Sequence, residues 1–188
     1  MSDYVFSCES TVDLTPEKIQ ELGLECIFFH FYIDGVEYAD DLGQTIPFDK
    51  FYQAMKDGAE TKTAAIGTGE YEKFFRGFFE QGKDVLHASL SSGISGTVES
   101  ARIAAESLAD EFPDRKIYII DSLAASSGYG LLMQALSEKR AEGMGLDELS
   151  EWAEAHKLHD WHWFFSTDLT FYIKGGRVKP LSGFVGSM

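Results

Sequence analysis

The 188-residue chain is short of several things, and each shortage removes a class of function. Its two cysteines, Cys8 and Cys26, form no C-x-x-C pair and no dense framework, which excludes a disulfide scaffold and points to a reduced, cytoplasmic setting. Basic residues are scarce: 16 Lys and Arg against 31 Asp and Glu give a formal charge of −15. Such a surface repels nucleic-acid phosphates and anionic membranes at long range, so no nucleic-acid partner is expected. No apolar run approaches the roughly 20 residues that span a bilayer, and the start, Met1-Ser2-Asp3-Tyr4, has neither the basic nor the apolar part of an export signal. A soluble, unexported protein without stable membrane insertion is the expectation. The chain also lacks G-x-x-x-x-G-K-[ST], and no G-x-G-x-x-G follows a strand, so the two common nucleotide signatures are missing. Tandem repeats, low-complexity tracts and proline-rich linkers are absent as well.

What is present centres on residues 85–97. Val85-Leu86-His87-Ala88-Ser89-Leu90 has the character of a short buried strand. The next seven residues, Ser91 to Thr97, are hydroxyl-bearing or glycine at six positions. From Val98 the apolar residues Val98, Ala101, Ala105, Leu108 and Phe112 follow the spacing of one helix face, predicting a helix to about Asp110. The first N–H groups of such a helix have no intrahelical partner, and the aligned peptide dipoles add positive charge there. Gly93 and Gly96 let a ligand approach the backbone, and Ser91, Ser92, Ser95 and Thr97 carry hydroxyl donors. The loop therefore suits a phosphate or a carboxylate; a helix cap by Ser95 or Thr97 alone needs fewer such residues.

Two further strand–loop–helix units flank this one. Tyr4 to Cys8 leads into the polar turn Glu9-Ser10-Thr11-Val12-Asp13 and a helix that opens at Thr15-Pro16 and closes at Gly23. Lys116 to Ile120 ends at Asp121-Ser122 and is followed by a helix over 123–142. Between them, Leu24 to Ile33 predicts a strand or hairpin turning at Asp34-Gly35. A helix from Pro47 to Gly58 follows, then a polar link over 59–68. The next helix, capped by Thr68, is unusually aromatic: Tyr71, Phe74, Phe75, Phe78 and Phe79, a stripe expected in the core. Leu146, Leu149, Trp152 and Ala153 outline another helix, Trp163-Phe164-Phe165 a strand, and Lys174-Gly175-Gly176-Arg177 a basic turn. This alternation predicts an α/β fold, a parallel sheet with helices on both faces, whose polar loops converge at the carboxyl ends of the strands. Residues 1–162 make the ligand-binding domain, and 163–188 begin a second, smaller α+β domain.

The usual catalytic patterns are not met. Gly93-Ile94-Ser95-Gly96 has the setting of a nucleophile elbow without the second glycine spacing of G-x-S-x-G. No spacing ties His87, His156, His159 or His162 to Ser95 as a base. The three late histidines, interleaved with Trp161 and Trp163, suit a solvated or stacking role better than a metal site.

Taken together, Glu9-Ser10-Thr11-Val12-Asp13-Leu14, Lys62-Thr63, Leu90 to Thr97, Ile120-Asp121-Ser122 and Lys174-Gly175-Gly176-Arg177 resemble, in order and spacing, the successive motifs of the DegV family. The resemblance implies a protein that binds a long-chain fatty acid between two domains. It also implies the role of binding subunit of bacterial fatty acid kinase, which presents the carboxylate to a separate kinase and is not itself an enzyme. Neither cofactor nor metal is implied. Position by position, it places the carboxylate on the hydroxyls of Thr63 and Ser95, with Gly96 giving backbone and Thr97 completing the loop. Arg177, the G-G-R arginine, stands where its charge meets the carboxylate, the acyl phosphate or the kinase. Thr63-Ala64-Ala65 departs from the family's usual T-S-Q. Relatives also continue through most of a second domain where this sequence stops at Met188. The expectation is a pocket open on that side, with the aromatic surface at Tyr71–Phe79 or the stretch Trp163–Phe171 bare, so that the chain dimerises or binds the dye ANS. The alternative is an enzyme or phosphotransferase-like domain holding a phosphorylated small molecule at the same loop.

Overall fold

A computed structural model describes residues 4–163, 165–166 and 170–176. Its centre is a four-stranded, wholly parallel sheet in the order β2-β1-β6-β7, built from β1 (Tyr4–Glu9), β2 (Glu25–Ile27), β6 (Asp84–Ser89) and β7 (Ile117–Asp121). Strand alternation sorts the side chains onto two faces. Tyr4, Phe6, Cys8, Leu86 and Ala88 pack under α1 (Pro16–Glu21), α5 (Ser126–Ala141) and α6 (Leu146–His156) through Ile19, Met133, Leu136 and Leu149. Val5 and Val85 point the other way, into α3 (Thr68–Phe79) and α4 (Thr97–Ala109), where Tyr71, Phe75, Ala101, Ala104 and Leu108 close the second core. The expected parallel sheet with helices on both faces is the observed one.

Local chemistry accounts for several element ends. Thr15 caps α1, its hydroxyl oxygen accepting the Lys18 N–H at 3.2 Å, with Pro16 in the first turn. Asp34 and Gly35, at φ +49° and +82°, make the tight turn between β3 (His30–Ile33) and β4 (Val36–Ala39).

Several elements differ from the sequence reading. The stretch 24–33 is not one strand. It breaks at Phe28-Phe29, so that β2 joins the parallel sheet while β3 enters a separate antiparallel sheet, paired on one side with β4 and on the other with β5 (Thr61–Ala64). The break is pinned by the Phe29 N–H donating to Ser10 Oγ at 3.0 Å and the Asp40 N–H donating to the Phe29 carbonyl at 2.8 Å. The polar link 59–68 contains β5 (Thr61–Ala64), and the excursion between β4 and β5 carries α2 (Phe48–Lys56). Gly67, not Thr68, is the N-cap of α3, with the Glu70 carboxylate accepting the Gly67 N–H at 2.9 Å. Helix α5 starts at Ser126 rather than Leu123, because Leu123 adopts positive φ and Ala125 is extended, which holds 123–125 out of the helix. Trp163 and Phe165 belong to no strand and are both 91% exposed, whereas Tyr71 and Phe75 are wholly buried; the bare aromatic surface is the first and not the second. Of the stretch expected to open a second domain, the described part holds α7 (Thr170–Lys174); the rest lies outside the described residues.

Candidate functional site

The three polar loops meet at the carboxyl end of the parallel sheet, tied by hydrogen bonds to carboxylates and carbonyls. Asp121, at the end of β7, accepts the N–H groups of Ser92 and Leu123 on one oxygen, each at 3.1 Å. Ser91 N–H donates to the Ala124 carbonyl and Ser122 N–H to that of Ser89. Glu9, the last residue of β1, accepts the Leu90 N–H at 2.8 Å and the Ser89 hydroxyl at 2.6 Å. The Ser91–Thr97 loop is therefore held from both neighbouring strands before any ligand arrives.

Within the loop, Ser91 Oγ accepts the Gly93 N–H, and the Ser91 carbonyl accepts those of Ile94 and Ser95. Ser95 is half-buried, and its oxygen accepts the Thr97 N–H at 3.3 Å, leaving the hydroxyl proton to donate elsewhere. Gly96 is exposed, and among the described residues its N–H meets no acceptor. The loop side of α4 thus presents one hydroxyl proton and one backbone donor beside a helix N-terminus, a set suited to a carboxylate. Thr97 is placed differently: it is fully buried, with its hydroxyl 2.9 Å from that of Tyr71.

Thr63 lies in β5, paired in register with Phe31 of β3, and is exposed. Phe31 stacks on Tyr38 with ring centroids 5.6 Å apart and meets Phe51 edge-on at 5.1 Å. Three cavities open at Thr63, and two of them are also lined by Phe51 and Tyr52 of α2. One, of about 540 Å³, runs between Phe51, Tyr52, Met55 and Tyr172; the other, of about 210 Å³, lies between Phe29, Phe31, Phe48 and Thr11. The larger falls within the roughly 300–1,000 Å³ of small-molecule sites, and its walls are mostly aromatic and apolar. Arg177 lies outside the described residues.

Beneath the loop is a polar cluster that the sequence reading missed. Alternation along two buried strands puts Ser7 and Glu9 beside His87 and Ser89 on one sheet face, with Ser7 and His87 in register. Polar residues at every second position of otherwise apolar strands were the available signal. All four are completely buried. Glu9 Oε1 takes the Tyr71 hydroxyl at 2.5 Å, and His87 Nδ1 pairs with Ser7 Oγ at 3.0 Å. His87 Nε2 stands 3.5 Å from Glu9 Oε1, an ion-pair distance rather than a hydrogen bond, and among the described residues has no hydrogen-bond partner. Burial alone would raise the Glu9 pKa; His87 and the Ser89 and Tyr71 hydroxyls outweigh it and hold the carboxyl below its ordinary range. Burial, together with the Glu9 charge, pushes the Tyr71 phenol up, so it remains a donor. His87 thus faces Glu9 and Ser7, and the late histidines are engaged elsewhere: His156 stacks on Trp152 at 4.2 Å and meets His159 edge-on. Among the described residues no cluster of three metal-ligating side chains forms. Cys8 and Cys26 are free thiols in register across β1 and β2, with the Cys8 pKa raised by its contact with Cys26 and by burial.

Sequence and structure comparisons agree on one relationship. A DegV domain-containing protein of Streptococcus pyogenes is 32% identical over 185 residues, covering 98% of this chain. The chain spans 65% of the length of that relative. A solved DegV family protein from Thermus thermophilus, described as binding fatty acid, superposes over 98% of this chain and 64% of its own with a TM-score of 0.82 and 27% identity. A stearic-acid-binding protein from Eubacterium ventriosum matches 81% of this chain and 52% of its own, with a TM-score of 0.74 and 26% identity. The family profile described as "uncharacterised protein, DegV family" matches residues 8–188, and by that match the chain belongs to the DegV family.

Proposed function

We propose that this chain is a fatty-acid-binding unit that holds the carboxylate of a long-chain acid at the Ser/Gly loop for a separate kinase. Two features support the reading: a donor-bearing loop at the carboxyl end of the parallel sheet, and a cavity on the small sheet that opens at Thr63 between Phe51, Tyr52, Met55 and Tyr172. Ser95 donates its hydroxyl, Gly96 its N–H, and Thr63 a second hydroxyl from the edge of the small sheet. The methylenes lie along Phe51, Tyr52 and Met55, where each one removed from water is worth about 0.8 kcal/mol. Arg177 of the G-G-R motif is assigned by the family resemblance a charge for the carboxylate, the acyl phosphate or the kinase. The fatty-acid-binding proteins of Thermus thermophilus and Eubacterium ventriosum support the same ligand class.

In this reading residues 1–162 are the binding domain and 163–188 begin a second one that completes the wall. The chain is read as a carrier rather than an enzyme: among the described residues no nucleophile–base pair is assembled at the loop, where His87 is turned to Glu9 and Ser7. The setting is cytoplasmic, and no described helix is long and apolar enough to cross a membrane. Mass spectrometry of small molecules released on denaturation tests the proposal. A C16 to C18 acid is expected; a phosphate ester in its place would overturn it in favour of a phosphorylated small molecule.

A further inference from the structure

Hydrogen-bond directions in the cluster beneath the loop are fixed by who owns a proton. An ionised carboxylate accepts only, so at Glu9 both the Tyr71 and the Ser89 hydroxyls donate, and Leu90 donates its N–H. Tyr71 has a single proton and gives it to Glu9. The 2.9 Å bond between Tyr71 and Thr97 is then made with the Thr97 proton, pointing inward. Thr97, at the first turn of α4 and wholly buried, has no proton left for a ligand.

We infer that Glu9 is a positioning residue for the head-group site: through Tyr71 it commits the Thr97 hydroxyl inward, and through Leu90 N–H it fixes the loop, so that of the two hydroxyls at the start of α4 Ser95, and not Thr97, is the donor. This rests on reading the loop as a carboxylate site. Glu9, Tyr71 and Thr97 touch no ligand in this scheme. They act in series, which distinguishes them from a set of independent contacts. The cluster is also a single unit in packing terms, since the Tyr71 ring lies edge-on to His87 at 5.4 Å and stacks on Phe75. Charge-bearing networks of this kind are strong when every member is satisfied and costly when one is removed.

A double-mutant cycle with oleate as the probe tests the series arrangement. Thr97→Val and Tyr71→Phe each keep the packed shape and remove one hydroxyl. Each is expected to weaken oleate binding about two- to tenfold, and the double variant no further than the weaker-binding single. A further tenfold loss when Thr97→Val is added to Tyr71→Phe would show Thr97 donating to the ligand, and would overturn the inference. A second measurement needs no ligand. The Leu90 amide proton, hydrogen-bonded to a carboxylate, is expected far downfield by NMR and to move upfield in Glu9→Gln; an unmoved signal refutes the inference. Should Glu9→Gln fail to fold, the Tyr71→Phe cycle still decides. If wild-type chain takes up no oleate, the head-group reading falls, and the Leu90 shift alone decides whether Glu9 holds the loop.

Discussion

Ser95→Ala separates binding from folding, because the two uses of that hydroxyl differ in strength. Its contribution to folding is the bond from the Thr97 N–H, long at 3.3 Å and made by a half-buried side chain. When it is lost, water reaches an amide at a helix start, a cost of about 0.5 kcal/mol, at the low end for a cap. In a chain of 188 residues that lowers Tm by about 1–2 °C. Its contribution to binding is a hydrogen bond to an anion, worth about 1.5–3 kcal/mol, or roughly 10- to 150-fold in Kd. Calorimetric titration of the 188-residue chain with oleate, run beside a thermal melt, measures both. A large loss of affinity with a nearly unchanged melt is expected. Equal oleate affinity in wild type and Ser95→Ala would refute the assignment of Ser95 to the head group. A fall in Tm of 10 °C would refute the view that its local bond is weak.

Two further outcomes follow from the cores and the buried carboxylate. Phe75→Ala, at a fully buried ring stacked on Tyr71 at 5.5 Å, is expected to cost about 3–5 kcal/mol in urea unfolding, while Phe48→Ala at an exposed ring costs less than about 1 kcal/mol. Similar losses at both sites would contradict the assignment of the second core. Glu9 has a folded-state pKa below its ordinary value of 4.5, so its stabilisation is complete above about pH 4.5 and is lost as pH falls through the folded value. Urea midpoints between about pH 6 and pH 3 should therefore drop more steeply for wild type than for Glu9→Gln. Parallel curves would show that Glu9 is not ionised in the native protein.

The parallel core was legible because its strands are short apolar blocks bounded by charge, and because Thr15-Pro16, Asp34-Gly35 and Gly58 carry strong local punctuation. The small sheet was hidden for a physical reason. Strand β5, Thr61-Lys62-Thr63-Ala64, lies at the edge of a three-stranded sheet with neither face deeply buried, so its residues carry no apolar alternation. The break at Phe28-Phe29 falls inside a run of strand-forming residues and is imposed by distant partners, Ser10 and Asp40. Trp163 and Phe165 erred the other way: their strand propensity means little without a neighbouring strand to pair with. At the site, the Ser/Gly loop and its helix were readable from spacing. That Thr97 turns inward while Ser95 keeps a proton to give depended on Tyr71, 26 residues away in sequence, and on Glu9, which read as turn but ends a buried strand.

The small antiparallel sheet is an excursion that leaves the parallel core once, at Phe28-Phe29, and returns once, over 65–67. Thr63 rides on the excursion and Ser95 on the core. The span between them is therefore governed by two joints rather than by the stiffness of either sheet. The first joint is held by Ser10 Oγ on the Phe29 N–H, and His30 Nε2, at the start of β3, meets Glu70 of α3, just past the second joint, at 2.6 Å. Ser10 and Glu70 thus act as calipers on how the small sheet sits against the core, from positions outside the proposed contacts with a carboxylate.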